Sequence, residues 1–376
     1  MKKVIIFLMC ILLYSAVAMA KVSGVCSNCH TMHASQTPWP DEWSPEVEGN
    51  PQPWLLATMS SNPCVGCHSS STSSTYYDLG GCKVPVVLYT GTSEPTSYLA
   101  GGNFWWVKEG LGNNGPEDDT KGHNVFLGEP DDNLTEAPGR SAGCNNSCHT
   151  DLSQPYSGSD MGEGLPGKYG CQGCHLHPKH HANDHPNFES GLVDSADKGW
   201  YRFLSGHSFT GKGVKGYEYK DWEAGHPNIA PGGNAHNEYI GNPDAKGYGF
   251  QQGGGAGDGV TAFCTGCHND FCPGGQGSSS PWLRHPSDAV IPNEREYQHV
   301  GGDSHLYDPL SPVAKPTVDT TPDTTVNPGT DMVMCLSCHR PHGSPYPDLL
   351  RWDYTQQIAG GGGDDKGCFY CHTQKN

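Results

Sequence analysis

Apolar residues concentrate at the start of the chain and are sparse afterwards. The run from Val4 to Tyr14 follows a basic start at Lys2 and Lys3 and gives way to Ala18-Met19-Ala20. That order predicts a secretory signal peptide over residues 1–20, since the run is shorter than the roughly 20 residues a membrane span needs. Beyond it no stretch is apolar enough to cross a bilayer, so the mature chain is expected to be exported without a membrane span. Strand-like runs such as Val84 to Tyr89 are short and isolated. The aromatic stretch through Tyr98, Phe104, Trp105 and Trp106 reads as packing. The Thr/Pro segment from Pro312 to Pro328 reads as an extended surface strap without its own core.

Composition sharpens this picture. The chain has 51 glycines and 30 prolines among 376 residues and is only 34% hydrophobic. Long regular elements are therefore expected to be scarce, and either much of the chain is disordered or something other than side chains fills its interior. A formal charge of -18 argues against nucleic acid or anionic lipid as partner, because phosphate attraction needs Lys and Arg. The short acidic clusters at Glu117 to Asp119 and Asp131 to Asp132 show no site.

The 17 cysteines and 20 histidines supply the missing chemistry. In an exported chain many cysteines suggest disulfides, but the spacing overrules that default. Six times the chain reads Cys-x-x-Cys-His. The six are Cys26, Cys29 and His30; Cys64, Cys67 and His68; Cys171, Cys174 and His175; Cys264, Cys267 and His268; Cys335, Cys338 and His339; and Cys368, Cys371 and His372. A seventh run, Cys144, Cys148 and His149, has one extra residue between the thiols. These are c-type haem attachment sites: two thiols add to the vinyl groups of one haem, and the following imidazole becomes the proximal iron ligand. A zinc site would want paired Cys-x-x-Cys motifs without an obligatory trailing His. The count implies seven covalently attached haem c groups. Cys10 leaves with the leader, and Cys82 and Cys272 are most simply a disulfide pair.

Seven proximal histidines leave thirteen others for seven distal positions, which makes bis-His iron the economical reading. The distal candidates are His33, His123, His180, His181, His207, His236, His285 and His342. His33 and His342 each lie three residues past a proximal His and must reach a different haem. His180 and His181 are adjacent, so one is expected to ligate while the other faces water. His185 is open between the two roles, and His177, His226, His299 and His305 read as solvated or hydrogen-bonded loop residues. Methionines beyond the leader are too few to serve every site. Iron with both axial positions filled has nowhere for substrate to bind, which argues for electron transfer rather than an enzyme and leaves no catalytic residues to assign.

The motifs cluster, with pairs at 26–68, 144–175 and 335–372 and a lone site at 264–268. Each pair is too short for a domain of its own, so residues 21–376 are expected to form a single seven-haem electron-transfer domain. Its fold class is a multihaem cytochrome c, mostly loops and short helices wrapped around a stacked haem chain, with little β-structure.

The mature start KVSGVCSNCHTMH and the C-terminal VMCLSCHRPHGS and GCFYCHTQK resemble the extracellular multihaem cytochromes of metal-reducing bacteria that polymerise into conductive filaments, the OmcS and OmcE type. The resemblance implies that the protein partners itself in a homopolymeric filament. His33 would then ligate a haem of the next subunit, such as the one at Cys335 and Cys338. It also implies upstream periplasmic or outer-membrane cytochromes as donors, and extracellular acceptors such as metal oxides or partner cells. Two other readings stay open: a monomeric periplasmic or surface shuttle, and a multihaem oxyanion reductase.

Overall fold

The computed structural model describes residues 64–108, 119–125, 137–139, 152, 170–175, 178–182, 189–205, 213–223, 230–243, 258–268, 271, 285–361 and 365–375. Outside them lie the expected signal peptide, the first motif (Cys26, Cys29 and His30), the longer motif (Cys144, Cys148 and His149), and also His33, His207 and Cys272. Among the described residues no helix is long and apolar enough to cross a membrane.

Every helical element is about one turn long. In chain order they are α1 (Val65–His68), α2 (Trp105–Lys108), α3 (Val260–Cys264), α4 (Cys335–Cys338) and α5 (Cys368–Cys371), with 3-10 turns such as Gly170–Gly173 and Arg295–His299. The strands are equally short: β1 (Ser69–Ser70), β2 (Tyr76–Leu79), β3 (Cys82–Pro85), β4 (Leu88–Tyr89), β5 (Gly191–Val193), β6 (Gly216–Glu218), β7 (Glu238–Ile240), β8 (Ala289–Val290), β9 (Ala314–Lys315) and β10 (Met332–Val333). The rest of the described residues is turn and loop, in keeping with the abundance of Gly and Pro.

The strands are short but not isolated. The run from Val84 to Tyr89 is divided between β3, which pairs antiparallel with β2, and β4, which pairs parallel with β1. Six others form one sheet in the order β5-β6-β7-β9-β10-β8. One row of partners crosses it from Val193 through Gly216, Tyr239, Ala314 and Met332 to Val290. Gly216 is required in that row, because a β-carbon there would lie 2.6 Å from the Glu238 carbonyl oxygen.

The Thr/Pro segment is not a surface strap. Its residues Ala314 and Lys315 are β9, between β7 and β10, and Val313, Ala314, Val318 and Val326 are buried. Lys315 is itself buried, and its ammonium lies 3.0 Å from Asp331 and 3.2 Å from Asp323. A charge taken out of water in mid-sheet needs such partners. The segment is held because its apolar side chains and its one lysine both have places inside.

Three small apolar clusters replace a single core, and each abuts a cysteine of a Cys-x-x-Cys-His motif. Val65, Leu88, Phe104, Val107 and Val125 pack against Cys171. Tyr201, Val214, Tyr239, Val260, Ala262, Ala314, Met332 and Met334 pack against Cys264. Ile291, Val300, Tyr307, Val313, Val326 and Tyr370 pack against Cys371. Met332 and Met334 thus serve as core, and Trp105 and Trp106 are buried packing, with Tyr98 edge-on to Trp106 at 5.0 Å.

Candidate haem-binding sites

Five of the seven motifs fall among the described residues; those of Cys26, Cys29 and His30 and of Cys144, Cys148 and His149 do not. Each described motif closes by the same local hydrogen bond. The backbone N–H of His68 donates to the Cys64 carbonyl (2.8 Å), His175 to Cys171 (2.9 Å), His268 to Cys264 (3.0 Å), His339 to Cys335 (3.1 Å) and His372 to Cys368 (3.0 Å). This is the i to i+4 bond of one helical turn, which brings positions i, i+3 and i+4 to one face. The spacing of two thiols and an imidazole therefore puts all three side chains on one side of a single turn. Both cysteines of every described motif, from Cys64 and Cys67 to Cys368 and Cys371, are half-buried. The turn at Cys67 is tied to β2, because the Tyr77 hydroxyl donates to the Cys67 carbonyl at 2.6 Å. Burial pushes the thiols of Cys174, Cys338 and Cys371 up to about 12. Burial that keeps these thiols neutral disfavours the thiolate that a zinc site requires.

Four of the five described proximal imidazoles face a second one. Ring centres are 6.1 Å apart for His68 and His180, 6.2 Å for His175 and His342, 6.1 Å for His123 and His268, and 6.3 Å for His285 and His372. A metal held at about 2 Å from one nitrogen of each ring separates the ring centres by roughly 6 Å. The donor set and spacing thus fit one six-coordinate iron per pair.

The other ring nitrogen is fixed by the main chain. Nδ1 of His68 lies 2.9 Å from the Pro85 carbonyl oxygen, that of His175 3.0 Å from Arg202, that of His268 2.8 Å from Pro138 and that of His339 2.7 Å from Asp348. His123 and His285 use the carbonyls of Pro341 and Pro286 in the same way, each at 2.9 Å. Nδ1–H donating to a carbonyl sets the tautomer and leaves the Nε2 lone pair for a metal. Burial also pushes His175 down to about 4 and His342 down to about 3. Both rings stay neutral, the form that ligates iron.

His342 is positioned by two loops in close contact. Gly102 bridges Gly343 with φ +91° and +120°, and a β-carbon on Gly102 would land 1.8 Å from the Gly343 carbonyl oxygen. Only glycine permits that approach and those angles. The approach sets His342 beside Phe104, with ring centres 4.8 Å apart, and turns it away from its own motif toward His175. Its Nδ1 is buried with no hydrogen-bond partner.

The remaining distal candidates fall elsewhere. His181 is exposed, while its neighbour His180 faces His68. His236 is fully buried, and its Nδ1 and Nε2 lie 2.9 Å and 3.1 Å from the carbonyl oxygens of Asn237 and Asp323. It stacks on Tyr307 at 3.9 Å and lies against none of the described proximal rings. With both nitrogens turned to protein carbonyls, the ring presents neither of them to an iron. His236→Ala is therefore expected to leave every haem low-spin and to lower stability by about 1–3 kcal/mol through the two orphaned carbonyls and lost stacking. Absorption spectra and thermal melts check both halves. Cys82 is buried in β3, and its expected partner Cys272 lies outside the described residues.

The described motifs neighbour one another in chain order. The thiols of Cys64 and Cys171 are hydrogen-bonded, as are those of Cys264 and Cys335, while Cys174 feels Cys267 and Cys338 feels Cys368. Arg351 braces the Cys335 motif: its Nε donates to the Leu336 carbonyl at 2.6 Å and its backbone N–H to that of Cys338 at 2.9 Å. Nothing local in the sequence marked Arg351 as part of the site.

Residues 327–376, which hold the last two motifs, match the family model described as a doubled CXXCH motif. The chain is also 29% identical over 378 aligned positions to the C-type cytochrome OmcS of Geobacter sulfurreducens, covering 89% of this chain and 80% of OmcS. This chain is similar to OmcS. The likeness to OmcS thus extends well beyond the two ends that first suggested it. Among solved structures, the Outer Membrane Cytochrome S filament of Geobacter sulfurreducens aligns with 92% of this chain and 88% of its own, at 20% identity and a TM-score of 0.45.

Proposed function

We propose that this OmcS-like chain is an exported seven-haem c-type cytochrome that carries electrons by outer-sphere transfer, as a subunit of an extracellular filament. The observation that carries the reading is the repeated facing of imidazoles at 6.1 to 6.3 Å, each pair including the His of a Cys-x-x-Cys-His motif. On this reading the distal ligands are His180 for His68, His342 for His175, His123 for His268 and His285 for His372. Cys26 and Cys29 would hold a haem over His30, and Cys144 and Cys148 one over His149, with His207 in reserve as a distal ligand for these two. Haem supplies the one-electron couple. The chain's residues attach it, fill both axial positions so that no substrate can bind, and set neighbouring sites side by side.

The polymer rests on His339. Among the described residues no second imidazole lies against it, although its Nδ1 is held by the Asp348 carbonyl like the others. His33 follows the first motif at a spacing that cannot serve its own iron, and ligation of the His339 haem of the next subunit would complete both. Residues 21–376 act as one unit in this reading, after removal of residues 1–20.

The test is made on secreted native protein. Intact mass gives seven haems, electron paramagnetic resonance gives only low-spin iron, and electron micrographs show filaments of regular repeat. Single particles would favour the monomeric shuttle. A high-spin signal would point to an open iron and a reductase.

A further inference from the structure

At four described motifs the proximal ring leans on a main-chain carbonyl, but His372 is different. Its Nδ1 lies 3.3 Å from Oε1 of Glu296, a carboxylate on the 3-10 turn Arg295–His299. The Glu296 side chain is only 15% exposed, and its backbone carbonyl accepts a hydrogen bond from the Thr373 hydroxyl, which ties the turn to the residue after His372. The carboxylate has one other charged partner, Lys375, whose ammonium is 3.3 Å from the same oxygen and 56% exposed. A solvated lysine offsets only part of that charge.

We infer that Glu296 is a positioning residue that makes the haem at Cys368 and Cys371 harder to reduce than its neighbour at Cys335 and Cys338. The inference rests on the proposed reading that His372 holds a haem iron. An imidazole that donates Nδ1–H to an anion gains imidazolate character, gives more electron density to the metal and stabilises the ferric state. A carbonyl, with a dipole and no net charge, does this less. The step involved is a single electron passing between adjacent irons, with no bond made or broken. Cys368 lies near enough to Cys338 to act on it electrostatically, so the two sites are neighbours and the difference forms an energy step at the last described link of the chain.

The site also carries its own spectroscopic label. The rings of His285 and His372 cross at 87°, against 25°, 53° and 54° at the other three pairs. Perpendicular axial imidazoles leave the ferric d orbitals nearly degenerate and give a large-gmax resonance, distinct from the rhombic signals of less crossed pairs.

The experiment uses the full-length holoprotein and follows the large-gmax signal through a redox titration. In Glu296→Gln, which keeps an acceptor of the same shape but removes the charge, haem content stays at wild type. The midpoint of that signal rises by about 59 mV, a tenfold change in a one-electron equilibrium. Lys375→Met, at an exposed position remote from any core, lowers the same midpoint by freeing the carboxylate. Unshifted midpoints in both variants, with haems intact, overturn the role of Glu296. Absence of haem at Cys368 and Cys371 in the wild-type protein sinks the haem reading instead and leaves a plain salt bridge.

Discussion

On the proposed reading, replacing His342 with alanine is expected to leave all seven haems attached and turn one of them high-spin. His342 is half-buried with its Nδ1 shut off from solvent, its ring centre lies 6.2 Å from that of His175, and two positive-φ glycines hold its loop in place. No neighbouring histidine is free to take over, because His68, His123 and His268 face partners of their own. The Cys171 haem therefore becomes five-coordinate or takes water. The oxidised protein gains a high-spin resonance of one iron in seven, and the reduced protein binds carbon monoxide at one site. Loss of the ring beside Phe104 also removes buried packing and lowers stability by about 2–4 kcal/mol, the range for large-to-small changes in a core. A wholly low-spin spectrum would mean that His342 is packing and that the distal ligand of His175 lies elsewhere. His236→Ala is the matched control, since it also deletes a buried ring.

His33→Ala is expected to abolish filaments while leaving the subunit folded. On the proposed reading His33 reaches out of its own subunit, so deleting it removes no internal ligand. The affected iron is that of His339, whose ring is oriented by Asp348 and faces no imidazole among the described residues. The variant should be secreted as single particles and carry one high-spin iron per chain, with both changes appearing together. Filaments of normal repeat in the variant would place the subunit contact elsewhere. High-spin iron within intact filaments would separate ligation from assembly.

The attachment chemistry was legible in the sequence because it is local. Two thiols and an imidazole at i, i+3 and i+4 need only one helical turn, and such a turn recurs at Cys64, Cys335 and Cys368, as a hydrogen-bonded turn after the helix that ends at Cys264, and as a 3-10 turn at Cys171. The pairing of imidazoles was not legible, because each partner comes from a distant segment: His123 meets His268, and His175 meets His342. Residue type could nominate His236 but could not show that its second nitrogen was taken by Asp323. The six-stranded sheet escaped notice for a different reason. Strands of two or three residues are shorter than the alternation by which a strand is recognised, and β9 is hidden in a Thr/Pro segment whose composition reads as surface. Glu296 lies 76 residues from His372, with nothing in the intervening sequence to connect them.

The carbonyls that orient His68, His175, His268 and His339 belong to Pro85, Arg202, Pro138 and Asp348, and they are offered whatever side chain those residues carry. Point substitution at these four positions changes a side chain and leaves the acceptor in place. The electronic setting of those sites is thus buffered against mutational drift, and retuning them requires moving backbone. The C-terminal site is set by a side chain, so one codon change at Glu296 can alter it. On the proposed reading, variation in redox energetics between related chains would accordingly be expected to enter at the C-terminal haem first.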